Sequence, residues 1–190
     1  SINSLSDLNI YGGFKGTESD INIRDAWSNP TKISSISQTK GTINLGNSLL
    51  SMDKSFNISI NGFIFEGGNN ILGDGGGIYT SNSNVHISNS QFYNNYTSGN
   101  GGAVYVDNSF LNLVNCVFSN NICGVNGSAI FANESTLDIT HCTFAYNLSA
   151  SPGLEVSTVY VQGTTSVLEI LNSIIWAKED ISSIQVIYPE

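Results

Sequence analysis

Positive charge is the scarcest property of this chain. Only six of its 190 residues are Lys or Arg, and none of them lies between Lys54 and Lys178. A surface without cations cannot neutralise phosphates, which excludes a nucleic-acid partner. Charge of either sign is thin: 11% of residues are charged, for a formal net charge of −9. The exterior must therefore be made of Asn, Ser, Thr and Gly, an unusual make-up for a cytosolic protein. No run of about 18 apolar residues offers a membrane span. No basic-then-apolar leader opens the chain, which reads as a segment of a larger extracellular protein or one whose leader was removed. Three cysteines, an odd number, do not make a disulfide scaffold. A period-3.6 stripe is also missing, which excludes leucine-rich and helical repeats.

What the chain has in quantity is repetition. "GGGIYTSNSNVHISNSQFYNN" begins at Gly75, "GGAVYVDNSFLNLVNCVFSNN" at Gly101 and "GSAIFANESTLDITHCTFAYN" at Gly127, a step of 26 residues taken twice. A fixed period of this size marks one supersecondary unit stacked on copies of itself. Val85, Leu111 and Leu137 align, as do Ile87, Leu113 and Ile139, then Phe92, Phe118 and Phe144, then Asn95, Asn121 and Asn147. Leu111 and Leu113 alternate around Asn112, the period-2 pattern of a strand with one face inward. After Val114 and Asn115 the phase shifts, so that Cys116 and Phe118 point inward. That shift predicts a corner at the Asn89, Asn115, His141 column, because asparagine tolerates left-handed backbone.

Short strands and corners cannot close a core copy by copy. They can if each copy is one coil, with equivalent strands paired in parallel at about 4.8 Å per rung and like side chains stacked inside. The predicted fold is an all-β parallel β-helix of about 26 residues per coil, one domain over 1–190 with repeat coils at 46–180. In "NISINGFIFEGG", Ile58, Ile60, Phe63 and Phe65 take the columns of Val85, Ile87, Ser90 and Phe92. In "TVYVQGTTSVLEILNSIIWAKED", Val159, Leu168, Ile170 and Ile175 take those of Ile130, Leu137, Ile139 and Phe144. Where the spacing exceeds 26, the extra residues are expected to bulge at corners. "LNIYGGF" reads as one strand, and residues 15–40 as an irregular loop.

The GGA[ILV] and FxxN signatures, at 101–104 with 118–121 and degenerately one copy to either side, resemble the chlamydial polymorphic outer-membrane proteins. "YGGFKGTESDINIRDAWSNPT" together with "NSIIW" resembles secreted right-handed parallel β-helix repeat proteins of environmental bacteria and archaea, often anchored at the cell surface. The resemblance implies a right-handed solenoid and an extracellular or cell-surface location. It does not fix a function, because such relatives include adhesins, passenger domains and polysaccharide lyases.

Polysaccharide chemistry can be tested against the residues. A calcium-dependent uronate lyase needs clustered carboxylates and a basic residue, and the repeats offer neither. An inverting hydrolase needs two carboxyl groups about 6.5–9.5 Å apart. The nearest pair, Asp107 and Glu134, has no His or Lys beside it and reads as surface. No metal or other cofactor is called for: His86 and Asp138 share an outward column but stand two rungs, roughly 9.6 Å, apart, and His141 falls at a corner. Cys116 and Cys142 occupy one column in consecutive coils. They are candidates for a disulfide, although parallel side-chain vectors favour stacked reduced thiols. Cys123 has no evident partner. Sequons occur at Asn57, Asn95, Asn126, Asn133 and Asn147. An inward FxxN ladder would hide Asn95 and Asn147, leaving Asn126, Asn133 and Asn57 as candidate glycosylation sites.

One surface feature stands out. If Ile78, Val104, Ile130 and Val159 point inward, Tyr79, Tyr105, Phe131 and Tyr160 form an outward aromatic row, a candidate glycan-binding strip. The favoured expectation is a non-catalytic extracellular β-helix acting as a structural, adhesive or self-assembling fibre module. Its expected partners are a polysaccharide or host cell-surface components, or further copies end to end. The rival is a polysaccharide lyase or glycoside hydrolase with its site in residues 15–40, where Glu18, Asp20, Arg24, Asp25 and Lys32 gather.

Overall fold

Period-2 strands separated by single left-handed residues have one economical outcome, a chain that turns the same corners on every lap. The computed structural model is a parallel β-solenoid of about five turns, about 27 residues apart. It describes residues 1–35, 47–150, 156–177 and 181–187. Four parallel sheets run along it. The first stacks strands Ile2–Asn3, Leu50–Asp53, Ile78–Ser81, Val104–Asp107, Ile130–Asn133, Val156–Gln162 and Ile181–Ile187. The second stacks Asn9–Tyr11, Ile58–Asn61, Asn84–Ser88, Phe110–Val114, Thr136–Thr140 and Val167–Leu171. The third contains Thr31–Ser34, Phe63–Glu66, Gln91–Tyr93, Val117–Ser119, Thr143–Ala145 and Ile174–Trp176. The fourth is narrow: Asn69–Asn70, Tyr96–Thr97, Ile122–Cys123 and Leu148–Ser149.

The aligned columns are the registers. Val85, Leu111 and Leu137 pair in sequence, as do Phe92, Phe118 and Phe144. Phe65, Phe92, Phe118 and Phe144 are buried and stacked, with centroids 4.8, 4.6 and 4.7 Å apart and planes within 8°. Each corner joins a left-handed residue to a side chain bonded to the neighbouring coil. Asn82, Asn108 and Glu134 turn the chain from the first sheet to the second, with φ of 49°, 44° and 46°. Ser83, Ser109 and Ser135 follow them. Each hydroxyl donates to the carbonyl two residues back and accepts the amide N–H of the equivalent residue one coil earlier, in a ladder running from Ser55 to Ser166.

The predicted corner at Asn89, Asn115 and His141 is present, with φ of 50°, 54° and 55°. The third corner places Asn94, Asn120 and Tyr146 in the left-handed region ahead of Asn95, Asn121 and Asn147. Those three are fully buried and bonded Nδ2 to Oδ1 at 2.9 Å, while each Nδ2 also donates to a phenylalanine carbonyl one coil earlier at 3.0 Å. The ladder satisfies amides that burial would otherwise make costly. At the fourth corner Gly75, Gly101 and Gly127 have φ of 70°, 70° and 65°. A Cβ on Gly101 would lie 2.4 Å from the Val104 carbonyl oxygen, so both backbone sign and space demand glycine there.

Extra residues do sit at corners. Gln162 pairs with Asn133, yet the hydroxyl facing Ser135 belongs to Ser166, so the turn at Gly163–Thr165 is longer than its predecessor. Phe56 and Asn57 swell the equivalent turn near the start, and Ile71 and Leu72 widen the fourth corner beside Asn70. The expected loop at 15–40 is corrected in part. Thr31–Ser34 is a strand paired with Phe63–Glu66, because Ile33 alternates inward onto the Phe65 column. Residues 36–40, including Lys40, and residue Lys178 lie outside the described residues.

Candidate functional site

The first sheet carries the aromatic row. Tyr79, Tyr105, Phe131 and Tyr160 are in register, with centroids 5.2, 5.2 and 5.3 Å apart and planes within 9°. Stacking on one rung spacing turns each ring's faces toward its neighbours and leaves edges outermost. Phe131 and Tyr160 are 4% and 7% exposed, while Tyr79 and Tyr105 are half-buried. A sugar lying along the strip would therefore meet edges, not faces. Burial pushes the Tyr105 hydroxyl up to about 12, with Asp74 and Asp107 adding to the shift. Burial first, then Asp107 and Asp74, also raises Tyr79.

The row does not end in a ring at its lower edge. Ser51 pairs with Tyr79 in the coil below, and a cavity of about 620 Å³ opens there, lined by Ser48, Ser51, Asn70, Leu72, Asp74 and Tyr79 among others. Leu72 is 82% exposed on the widened fourth corner. Asp74 Oδ1 accepts from the Asn100 backbone N–H at 2.6 Å and its Nδ2 at 3.1 Å. Asn70 donates from Nδ2 to the Asp74 carbonyl at 2.7 Å, while its buried Oδ1 has no partner among the described residues.

A second cavity, about 400 Å³, lies beside the excursion of residues 12–30 and is lined by Tyr11, Arg24, Asp25, Trp27, Asn61 and Asn89 among others. Glu18, Asp20, Arg24, Asp25 and Lys32, the charges gathered in residues 15–40, are committed to the backbone, to asparagine side chains or, for Lys32, to Glu66. Arg24 donates to the Gly12 carbonyl at 3.0 Å and Asn61 Oδ1 at 2.6 Å, with its guanidinium 5.0 Å from the Tyr11 ring centroid. Asp25 accepts from the Trp27 and Ser28 amides, Asp20 from the Asn22 amide, and Glu18 from those of Lys15, Gly16 and Thr17. Lys32 pairs with Glu66.

The two carboxylates weighed for hydrolysis are engaged separately. Asp107 accepts from Asn108 Nδ2 at 3.1 Å and Asn133 Nδ2 at 2.8 Å. Glu134 accepts from the backbone of Thr164 and Thr165 and from the Thr165 hydroxyl at 2.6 Å, and that hydroxyl leads the bonds holding its carboxyl below the ordinary value. His86 bonds through Nδ1 to Asn112 Oδ1. Among the described residues no three His, Cys, Asp or Glu side chains converge to hold a metal ion.

Cys116 and Cys142 are free thiols in the column of Ser90 and Ser173. Each Sγ lies 3.4 Å from the carbonyl two residues back, as the Ser90 hydroxyl does at 2.8 Å. They occupy serine positions in a second cross-coil ladder. Hydrogen bonding to Cys142, then burial, pushes the Cys116 thiol well up, and burial takes Cys123 up to about 12.

Of the candidate acceptor asparagines, Asn57 is exposed and donates to Asp7 at 2.9 Å; Asn126 and Asn133 are half-buried. Asn133 is held from both sides by Asp107 and Gln162. The cavity beneath Tyr79 escaped sequence reasoning. Its signal was present, since the aromatic column stops at Ser51 and one residue is inserted after Asn70.

Residues 89–107 match the family model of the Chlamydia polymorphic membrane protein (Chlamydia_PMP) repeat. The matched stretch runs from the second corner through Phe92 and Asn95 to the end of the next first-sheet strand, and with the solenoid it fits a polymorphic outer-membrane-protein-like β-helix repeat. No curated protein and no solved structure matches the chain. No helix among the described residues is long and apolar enough to cross a membrane.

Proposed function

We propose that this chain is a non-catalytic module of a surface-displayed β-solenoid, working as a stiff structural or adhesive stalk. One observation carries the reading: the charged side chains weighed for catalysis are spent on cross-coil bonds and turns. Asp107, Glu134, Arg24, Asp25 and Glu18 each hold backbone or a neighbouring amide. Acid–base catalysis needs a carboxyl or imidazole directed at a substrate. Uronate elimination also needs a cation beside the acidic sugar, and neither Lys nor Arg falls between residues 55 and 177. Surface display is supported by the polymorphic membrane protein repeat at 89–107 and by a low-charge exterior.

The reading is tested by turnover. Pectin, alginate and chondroitin with Ca²⁺ should yield neither new reducing ends nor unsaturated uronates. Turnover that disappears in Asp107→Asn or Glu134→Gln would overturn it.

A further inference from the structure

A column of stacked rings hides all its faces except at its ends. At the upper end Tyr160 is buried, and the next residue in the column is Gln185. At the lower end Tyr79 stands over Ser51, whose side chain is too short to cover a phenol ring. The underside of Tyr79 is thus the ring face that no neighbouring ring covers, and it forms a wall of the 620 Å³ cavity. That volume lies within the roughly 300–1,000 Å³ usual for small-molecule sites.

The remaining walls narrow the ligand. Asp74 presents a carboxylate whose Oδ2 takes no bond among the described residues, and Ser48 and Ser51 add hydroxyls. Asn70 also lines the cavity, and its buried Oδ1 has no partner among the described residues. Leu72, on the corner lengthened by one residue, lines the cavity and is largely exposed. An apolar ligand would desolvate this polar wall without compensation. An anionic one would meet the Asp74 carboxylate in the wall. One flat C–H face with polar groups around its rim suits the site, and a π face attracts C–H edges and cations alike.

We infer that the cavity beneath Tyr79 binds a pyranose ring without a carboxylate, best of all an amino sugar, stacked on the open face of Tyr79 with its amine toward Asp74. The aromatic column is then the support that holds one stacking face rigid, and the binding site is its foot. This deepens the adhesive half of the proposed function and fails separately from it, since absence of turnover does not depend on sugar binding.

The experiment titrates the protein with a glucosamine trimer, an N-acetylglucosamine trimer and a galacturonic acid trimer, followed by calorimetry and by the NMR signals of Tyr79. The glucosamine trimer should bind most tightly, the neutral trimer more weakly and the acidic trimer not at all. Tyr79→Ala should weaken binding roughly two- to tenfold. Ser51→Tyr, which caps the open face with a fifth ring, should abolish binding with no loss of melting temperature. Asp74→Asn should erase the preference for the amine. Failure of the parent to bind any of the three sugars, equal binding of the galacturonic acid trimer, or undiminished binding by Ser51→Tyr would overturn the site. The Ser51→Tyr arm keeps the test decisive if Tyr79→Ala folds poorly.

Discussion

The three coils between residues 75 and 150 and the coils that flank them are built from the same columns, yet they solve the corners differently. In the inner coils one left-handed residue and one laddered side chain make each turn, and phenylalanine and asparagine repeat without exception at their positions. In the flanking coils the phenylalanine column ends in Ile33 and Ile175, and the asparagine column gives way to Gly68. Among the described residues two side-chain ladders cross both boundaries, one from Ser55 to Ser166 and one from Phe63 through Ser90, Cys116 and Cys142 to Ser173. The difference teaches what each column does. The phenylalanine and asparagine columns give way in the flanking coils, whereas the side-chain ladders continue through insertions, Ser166 bonding the Gln162 carbonyl where its turn lengthens; stacked rings also bridge unequal spacings, as Phe131 and Tyr160 do. The insertions leave places where columns do not close, and the cavity under Tyr79 is one of them.

The largest test of that contrast removes equivalent side chains from inner and outer coils. Phe118 lies between Phe92 and Phe144 at 4.6 and 4.7 Å and is fully buried. Phe118→Ala should cost about 3–5 kcal/mol, because neighbours fixed by two sheets cannot collapse into the cavity. Ile175 occupies the same column one coil on, paired with Phe144 but half-buried. Ile175→Ala should cost about 1–2 kcal/mol, since less apolar area leaves water there on folding. Denaturant melts of the two variants decide it; equal losses would mean that the column is not graded from inside to outside.

The column at the second corner gives a smaller effect. If Cys116 and Cys142 act as serines, the double variant Cys116→Ser, Cys142→Ser should stay within about 1.5 kcal/mol of the parent, its hydroxyls bonding the Val114 and Thr140 carbonyls that the thiols now face. Parent melting should also be indifferent to reductant. A reductant-dependent parent, or a loss of several kcal/mol in the double variant, would point to a disulfide between the two instead.

Much of this was legible in the sequence, for a physical reason. A solenoid repeats its environment every lap, so burial, corner and strand each leave a column that can be read directly, as Phe92, Phe118 and Phe144 do. The Asn89, Asn115, His141 corner was legible because asparagine's tolerance of left-handed backbone is local. The strand at Thr31–Ser34 was not, because the excursion of residues 12–30 breaks the period ahead of it and four residues carry too little alternation to identify a strand alone. The ring row was legible as a column in register, but not that Phe131 and Tyr160 would be buried while Tyr79 and Tyr105 stay half-buried. That its rings would hide one another's faces follows from the rung spacing acting on side-chain torsions, which alternation does not encode. The serine ladder was missed because Ser83, Ser109 and Ser135 look like ordinary turn residues until the neighbouring coil supplies the amide.

The subtlest test concerns a single corner. Glu134 occupies the left-handed position that Asn82 and Asn108 hold in the preceding coils, and its carboxylate bridges upward to Thr164 and Thr165, the residues that lengthen the next coil's turn. The carboxylate thus substitutes for the missing one-residue corner above it. Its bonds to the Thr165 hydroxyl and to both amides favour the ionised form and lower its pKa from the ordinary 4.5. A folded value below the unfolded one means that the unfolded chain binds the proton first. The stabilisation is therefore complete above about pH 4.5 and fades as pH falls through the folded value. The group is exposed, so the effect should be small. Melting temperatures of the parent and Glu134→Gln, measured from pH 7 to pH 3, should differ at neutral pH and converge toward the acid end. A gap that stays constant across that range would show that the corner is held by shape alone and that the charge on Glu134 adds nothing to it.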